Sequence, residues 1–221
     1  MSAQLKTCFG FQTTRCDYNN INAGTKNLPH FAESKFLEQP GSIGDEIYQW
    51  LTDGYYFWLN SDRYAEWWGE YNLKSDYLIT QYEIVLDRED VLDLIENPDD
   101  EDHFFWLVEA YLEKYNESKG KPGAEQLPEP TVSSILHFFR KTDPEVFPFK
   151  AVTITDLWEA EPVFQYLKKH KYLKMTPNSR SDHDKYRPMG RPQICVFEEV
   201  KNCINNSVPI YPREYVDSFS E

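Results

Sequence analysis

The segment from Trp50 to Tyr71 constrains the fold more than any other part of the chain. Asp53-Gly54 is a turn signal, and Tyr55-Tyr56-Phe57-Trp58 directly after it reads as an aromatic strand. Asn60-Ser61-Asp62 then offers a helix N-cap, because short side-chain oxygens there accept from the first unpaired backbone N–H groups. In the helix so started, Tyr64, Trp67, Trp68 and Tyr71 fall at i, i+3, i+4 and i+7 and make one apolar face. Trp67 and Trp68 read as core side chains of that face.

The remaining chain alternates less cleanly. Residues 5–12 suit a short first strand, and residues 13–47 read as a long loop, a kind of segment that usually carries function. A strand is predicted over 77–86, a short acidic helix over about 88–96 and an amphipathic helix over 101–117. Residues 118–130 carry Gly120, Pro122, Gly123, Pro128 and Pro130 and read as a loop before a helix over about 131–141. Phe149–Ile154 is a predicted strand, Val163–Tyr172 a helix, 176–192 irregular, Gln193–Phe197 a final core strand, and the tail from Asn205 irregular. Strands mixed with helices that do not alternate regularly predict one α+β domain over 1–221.

With 221 residues the chain can bury a sizeable core. Its net charge of −14 argues against non-specific binding of the whole chain to nucleic acid or anionic membrane. The charge is uneven: Glu83 to Glu117 carries thirteen acidic residues against two basic, whereas Gln165 to Arg191 is rich in Lys and Arg. Cys8, Cys16, Cys195 and Cys203 form no C-x-x-C or Cys/His cluster, so reduced thiols and no metal site are expected. No signal peptide and no apolar run of about 18 residues is evident, and a cytoplasmic protein without membrane association is expected. Neither a Walker-type loop nor G-x-G-x-x-G occurs.

Three segments carry a resemblance. Gly54-Tyr55-Tyr56-Phe57 followed by a helix with Ala65, Phe11-Gln12-Thr13-Thr14 before it, and Pro192-Gln193-Ile194-Cys195-Val196 after it occur in that order across nearly the whole chain. Together they resemble the ADP-ribosyltransferase superfamily, in its poly-ADP-ribose-polymerase and diphtheria-toxin branch. That branch marks its NAD site with a His on an early strand, a Gly-x-Tyr-Phe strand leading to a helix, and a Glu opening a late strand. The resemblance implies a split antiparallel or mixed sheet with peripheral helices, and NAD as co-substrate. It implies Tyr56 as the ring stacked on nicotinamide, Gln12 at the ribose-binding His position, and Thr13 and Thr14 beside the carboxamide. Gln193 takes the position of the catalytic Glu, and Arg191, Arg187 and Lys185 are candidates for meeting the acceptor or the pyrophosphate. A mono-ADP-ribosyltransferase acting as a toxin or effector is implied, with a protein or nucleic-acid acceptor and, as a possible partner, a cognate antitoxin or inhibitor.

The chain departs from the family at two positions. Gln12 can donate and accept hydrogen bonds much as His does. Gln193 can bond a ribose hydroxyl but brings no charge to the oxocarbenium-like cation that develops as the nicotinamide bond breaks, which costs on the order of 10²–10³ in rate. A slow transferase, a carboxylate supplied elsewhere (Glu33, Glu38, Asp45, Glu46, Asp53 or Glu70), an NAD glycohydrolase and a catalytically inactive interaction module all stay open at this point.

Overall fold

A computed structural model describes residues 4–18, 28–33, 51–119, 127–155 and 190–217. The strands are β1 (Leu5–Arg15), β2 (Phe31–Ala32), β3 (Gly54–Leu59), β4 (Tyr77–Asp87), β5 (Val91–Asp93), β6 (Ala151–Thr155), β7 (Pro192–Val196) and β8 (Ile204–Tyr211). The helices are α1 (Asp62–Trp68), α2 (Pro98–Lys119), α3 (Val132–Thr142) and α4 (Arg213–Asp217). All the strands join one mixed sheet in the order β5-β6-β7-β3-β1-β4-β8, with β2 paired to β3. The β5–β6 pair is parallel and the other ladders are antiparallel. The chain is therefore α+β, with a mostly antiparallel open sheet.

The sheet is narrowest at its centre. β1 meets β3 through Gly10↔Leu59 and Phe11↔Trp58, whereas β1 and β4 pair along the whole of β1. β7 occupies one edge of β3, so β2, which pairs at Tyr55 and Gly54, takes the edge that β1 has left. β1 and β3 thus splay apart after Phe11, with β2 entering the gap.

Period-two alternation sorts the side chains onto two faces. Helices α1, α2 and α3 lie on the outer face. There α2 and α3 bury Phe104, Leu107, Ile135 and Phe139 against Leu92, Val152, Ile154 and Cys195, while Ala65 of α1 packs with Trp58 and Ile79. The inner face gathers Phe57, Tyr82, Ile84, Val91, Ala151, Ile194 and Val196 from five of the strands. Each large side chain taken from water this way contributes roughly 1.5–3 kcal/mol.

The inner face closes because the sheet curls. β1 and β5 lie four strand spacings apart, about 19 Å in a flat sheet. Yet Lys6 of β1 forms an ion pair with Asp93 of β5. Only a strongly curled sheet brings those two strands within reach of one lysine.

Local signals account for most elements. Ser61 caps α1 by accepting from the Arg63 N–H, and Thr131 with Ser134 forms a reciprocal capping box on α3. Three expectations need correction. Residues 88–96 are not an α-helix: a 3-10 turn leads into the edge strand β5, whose Val91 and Leu92 are buried in the cores on its two faces. The aromatic helix turns π-helical over Gly69–Leu73, where Gly69 lies against the Tyr77 ring. Residues 205–211 belong to the edge strand β8, and α4 follows it, in place of an irregular tail. The helix predicted over Val163–Tyr172 lies outside the described residues.

Candidate functional site

The strands bearing the three family-like segments are consecutive in the sheet, β7-β3-β1. Tyr56 pairs with Cys195 and Trp58 with Gln193, so all four side chains share the outer, helix-bearing face. Tyr56 and Gln193 are diagonal neighbours in that ladder, a spacing of roughly 7–8 Å between backbones. Arg191 belongs to the same face, and its guanidinium lies over the Trp67 ring of α1 at 3.5 Å. Thr13 also points outward, where its hydroxyl donates to the Ala65 carbonyl at 2.7 Å. One strip between α1 and α3 therefore carries Tyr56, Gln193, Arg191 and Thr13.

Gln12 and Thr14 lie on the other face. Gln12 stands opposite Thr80 in the β1–β4 ladder and is buried. Its Nε2 donates to the carbonyls of His30, at 2.9 Å, and Tyr56, at 3.3 Å. Its Oε1 accepts from the His30 N–H at 2.6 Å. The side-chain amide thereby copies a strand: it bonds both main-chain groups of His30 where β1 no longer pairs with β3. The expectation that the Gln12 side chain joins Tyr56 and Gln193 around one opening is not met. Arg187 and Lys185 lie outside the described residues, as do Glu38, Asp45 and Glu46.

The Tyr56 ring is held at its far end. Its hydroxyl donates to the Thr52 carbonyl at 2.6 Å and accepts from the Leu51 N–H at 3.0 Å. The residue keeps partial exposure, but dense packing around the hydroxyl pushes its pKa well above the usual phenol value. Cys195 is fully buried, and burial pushes its thiol up to about 12, so it is no nucleophile at neutral pH. Gln193 and Arg191 are both buried at 7% exposure.

Charged groups that spacing could not assign stand at the Tyr56 end. The Asp53 carboxylate is 3.8 Å from His137 Nδ1 of α3. Arg140, one helical turn on, donates to the Asp53 carbonyl at 3.0 Å and to Glu199 at 3.2 Å, with its guanidinium 3.6 Å over the Phe197 ring. Burial, reinforced by Lys141 and Arg140 and opposed by Asp53, lowers the His137 pKa and favours its neutral form. Asp53 was legible in the sequence as a turn residue and as one of several candidate carboxylates, but nothing in the α3 sequence marked His137 or Arg140. Glu199 reaches Arg140 because β7 ends at Val196 and a 3-10 turn follows.

Comparison with family models, with curated proteins and with solved structures returned no match. The resemblance to ADP-ribosyltransferases therefore rests on the three short segments alone. Among the described residues no group of three or more His, Cys, Asp or Glu could hold a metal ion, and no helix is long and apolar enough to cross a membrane.

Proposed function

We propose that this chain is a slow NAD-dependent mono-ADP-ribosyltransferase whose site is the outer-face strip over β3 and β7. The observation that supports it is the sharing of one face by Tyr56 and Gln193, diagonal across the β3–β7 ladder, with Arg191 alongside. The donor set suits NAD in part. Tyr56 presents a ring whose hydroxyl is anchored, so it can stack on nicotinamide without losing much rotamer freedom. Gln193 offers an amide for a ribose hydroxyl, and Arg191 a cation for the pyrophosphate or the acceptor. Thr13 stands on the same face near α1.

The chemistry such a site performs is loss of nicotinamide and capture of the ribose carbon by a macromolecular acceptor, protein or nucleic acid. Gln193 supplies hydrogen bonds but no charge to that carbon, which is why turnover is slow in this reading. A toxin or effector acting in a cytoplasm, restrained by a cognate antitoxin or inhibitor, is the setting in which few turnovers suffice. That step is analogy with the family.

One observation favours a second reading, a non-catalytic interaction module on a transferase-like scaffold. Gln12, at the position of the family His, is buried on the opposite face with its amide engaged by His30 and Tyr56.

Labelled NAD incubated with wild type, Tyr56→Ala and Gln193→Glu separates these readings. A transferase moves label to a macromolecule, Gln193→Glu raises the rate about 10²–10³-fold, and Tyr56→Ala abolishes it. Free ADP-ribose alone identifies a glycohydrolase. No turnover and no saturable NAD binding, even in Gln193→Glu, leaves the interaction module.

A further inference from the structure

Three hydroxyls on the inner face are enclosed in the core without a hydrogen-bond partner: Thr14 Oγ1, Thr80 Oγ1 and Tyr82 Oη. Thr80 and Tyr82 are each only 1% exposed. Their register places them together, with Thr14 opposite Leu78, Thr80 opposite Gln12 and Tyr82 opposite Gly10. Residues opposite or two apart along an antiparallel ladder share a face, so Thr14, Gln12, Thr80 and Tyr82 form one polar island. Around it the inner face is apolar, with Phe57, Ile84 and Ile194.

By distance and angle, none of the three hydroxyls has a hydrogen-bond partner within the island. The Tyr82 phenol is pushed up by burial, and the Thr80 hydroxyl is close enough to pull it partly back. Even so, the two oxygens are not in hydrogen-bond geometry. The Gln12 amide has turned both its Nε2 donors towards the main chain, while Oε1 accepts from the His30 N–H and keeps a second lone pair. Valine or phenylalanine would fill the same volumes without stranding a hydroxyl, and a stranded hydroxyl costs more than an ordinary hydrogen bond returns. Internal waters settle where two to four such groups converge, and they are part of the fold where they do.

We infer that Thr80 and Tyr82 hold an internal water molecule on the inner face of the sheet, beside Gln12. The ligand class is a single small molecule that both donates and accepts, because every hydroxyl of the island can do either. The site links β4 to the amide bridge that spans the β1–β3 split, so its occupant steadies the junction where the sheet is least paired. This inference is independent of any NAD chemistry on the outer face.

A high-resolution crystal structure of the whole chain, together with thermal unfolding of Thr80→Val and Tyr82→Phe, tests it. We expect density for a water within hydrogen-bond distance of Thr80 Oγ1 and of Tyr82 Oη. Both substitutions then remove a ligand of that water, and the melting temperature falls by about 2–4 °C in each. A site without water, including one where Thr80 and Tyr82 bond each other directly, overturns the inference. So does a Thr80→Val variant that melts higher than wild type, since removing a stranded hydroxyl stabilises.

Discussion

Gln12 shows how one side chain can replace a stretch of ladder. Both edges of the split need main-chain partners, and a carboxamide is the side-chain group that offers a donor and an acceptor side by side. The arrangement can be tested with the near-isosteric Gln12→Glu. A carboxylate still accepts from the His30 N–H, but it turns an acceptor towards the His30 and Tyr56 carbonyls, where Nε2 now donates. We expect a loss of about 2–4 kcal/mol at neutral pH in urea unfolding. Part of it returns in acid, because protonation restores one donor. The introduced carboxyl is then more basic folded than unfolded. Its contribution is fully present below an unfolded value of about 4.3 and is lost as pH rises through the higher folded one. Equal stability of variant and wild type at pH 7 would show that the bridge carries no weight.

At the scale of elements, the seam between β3 and β7 depends on Gly54. A Cβ there would lie 2.8 Å from the Val196 carbonyl oxygen and would collide with Cys195 Sγ. Gly54→Ala therefore forces the strands apart at the position where Tyr55 pairs with Val196. A cost of about 1–3 kcal/mol is expected by denaturant unfolding, and Cys195→Ala added to it recovers only part, since the carbonyl contact stays. Full recovery in the double variant would mean that the thiol alone sets the requirement for glycine. The glycine of the Gly-x-Tyr-Phe segment thus has a packing reason that needs no ligand. Elements were legible where patterning and local chemistry agreed. The aromatic strand, the Ser61 cap, the 77–86 alternation and the Thr131 start of α3 all carried signals within a few residues. β5 was hidden because acidic residues surround three buried positions whose pairing with β6 is a distant event. β8 was hidden because an exposed edge strand needs no alternation and tolerates Pro209. At the candidate site, the order of the segments along the chain did not fix that β7, β3 and β1 are neighbours in the sheet. The face of Gln12, and the approach of His137 and Arg140 to Asp53, depend on tertiary pairing that no local signal encodes.

For the whole molecule, the curl of the sheet is the organising feature, and its clasp is electrostatic. Asp93 is buried, which by itself raises its pKa. Lys6, the Thr153 hydroxyl and the Ile95 N–H outweigh that penalty and hold it below the ordinary carboxylate value. Because the folded pKa is depressed, the stabilisation is present above the unfolded value of about 3.9 and is lost as pH falls through the folded one. Asp93→Asn removes the charge while keeping the shape. Urea unfolding at pH 7 should find it about 1–3 kcal/mol less stable than wild type, as Lys6 loses its counter-charge and Thr153 faces an amide. As pH falls below the unfolded value and on through the lower folded one, the two curves should converge, since wild type then protonates the same carboxyl. The inner-face core of Val91, Ala151, Ile194, Phe57 and Tyr82 exists only while β5 and β1 stay within reach of one another. Loss of the clasp should therefore loosen both ends of the sheet together, visible as faster amide exchange in β1 and β5 in the same variant. A gap between the curves that does not narrow as the pH is lowered, or exchange that rises in β5 alone, would assign the closure to apolar packing instead of to the ion pair.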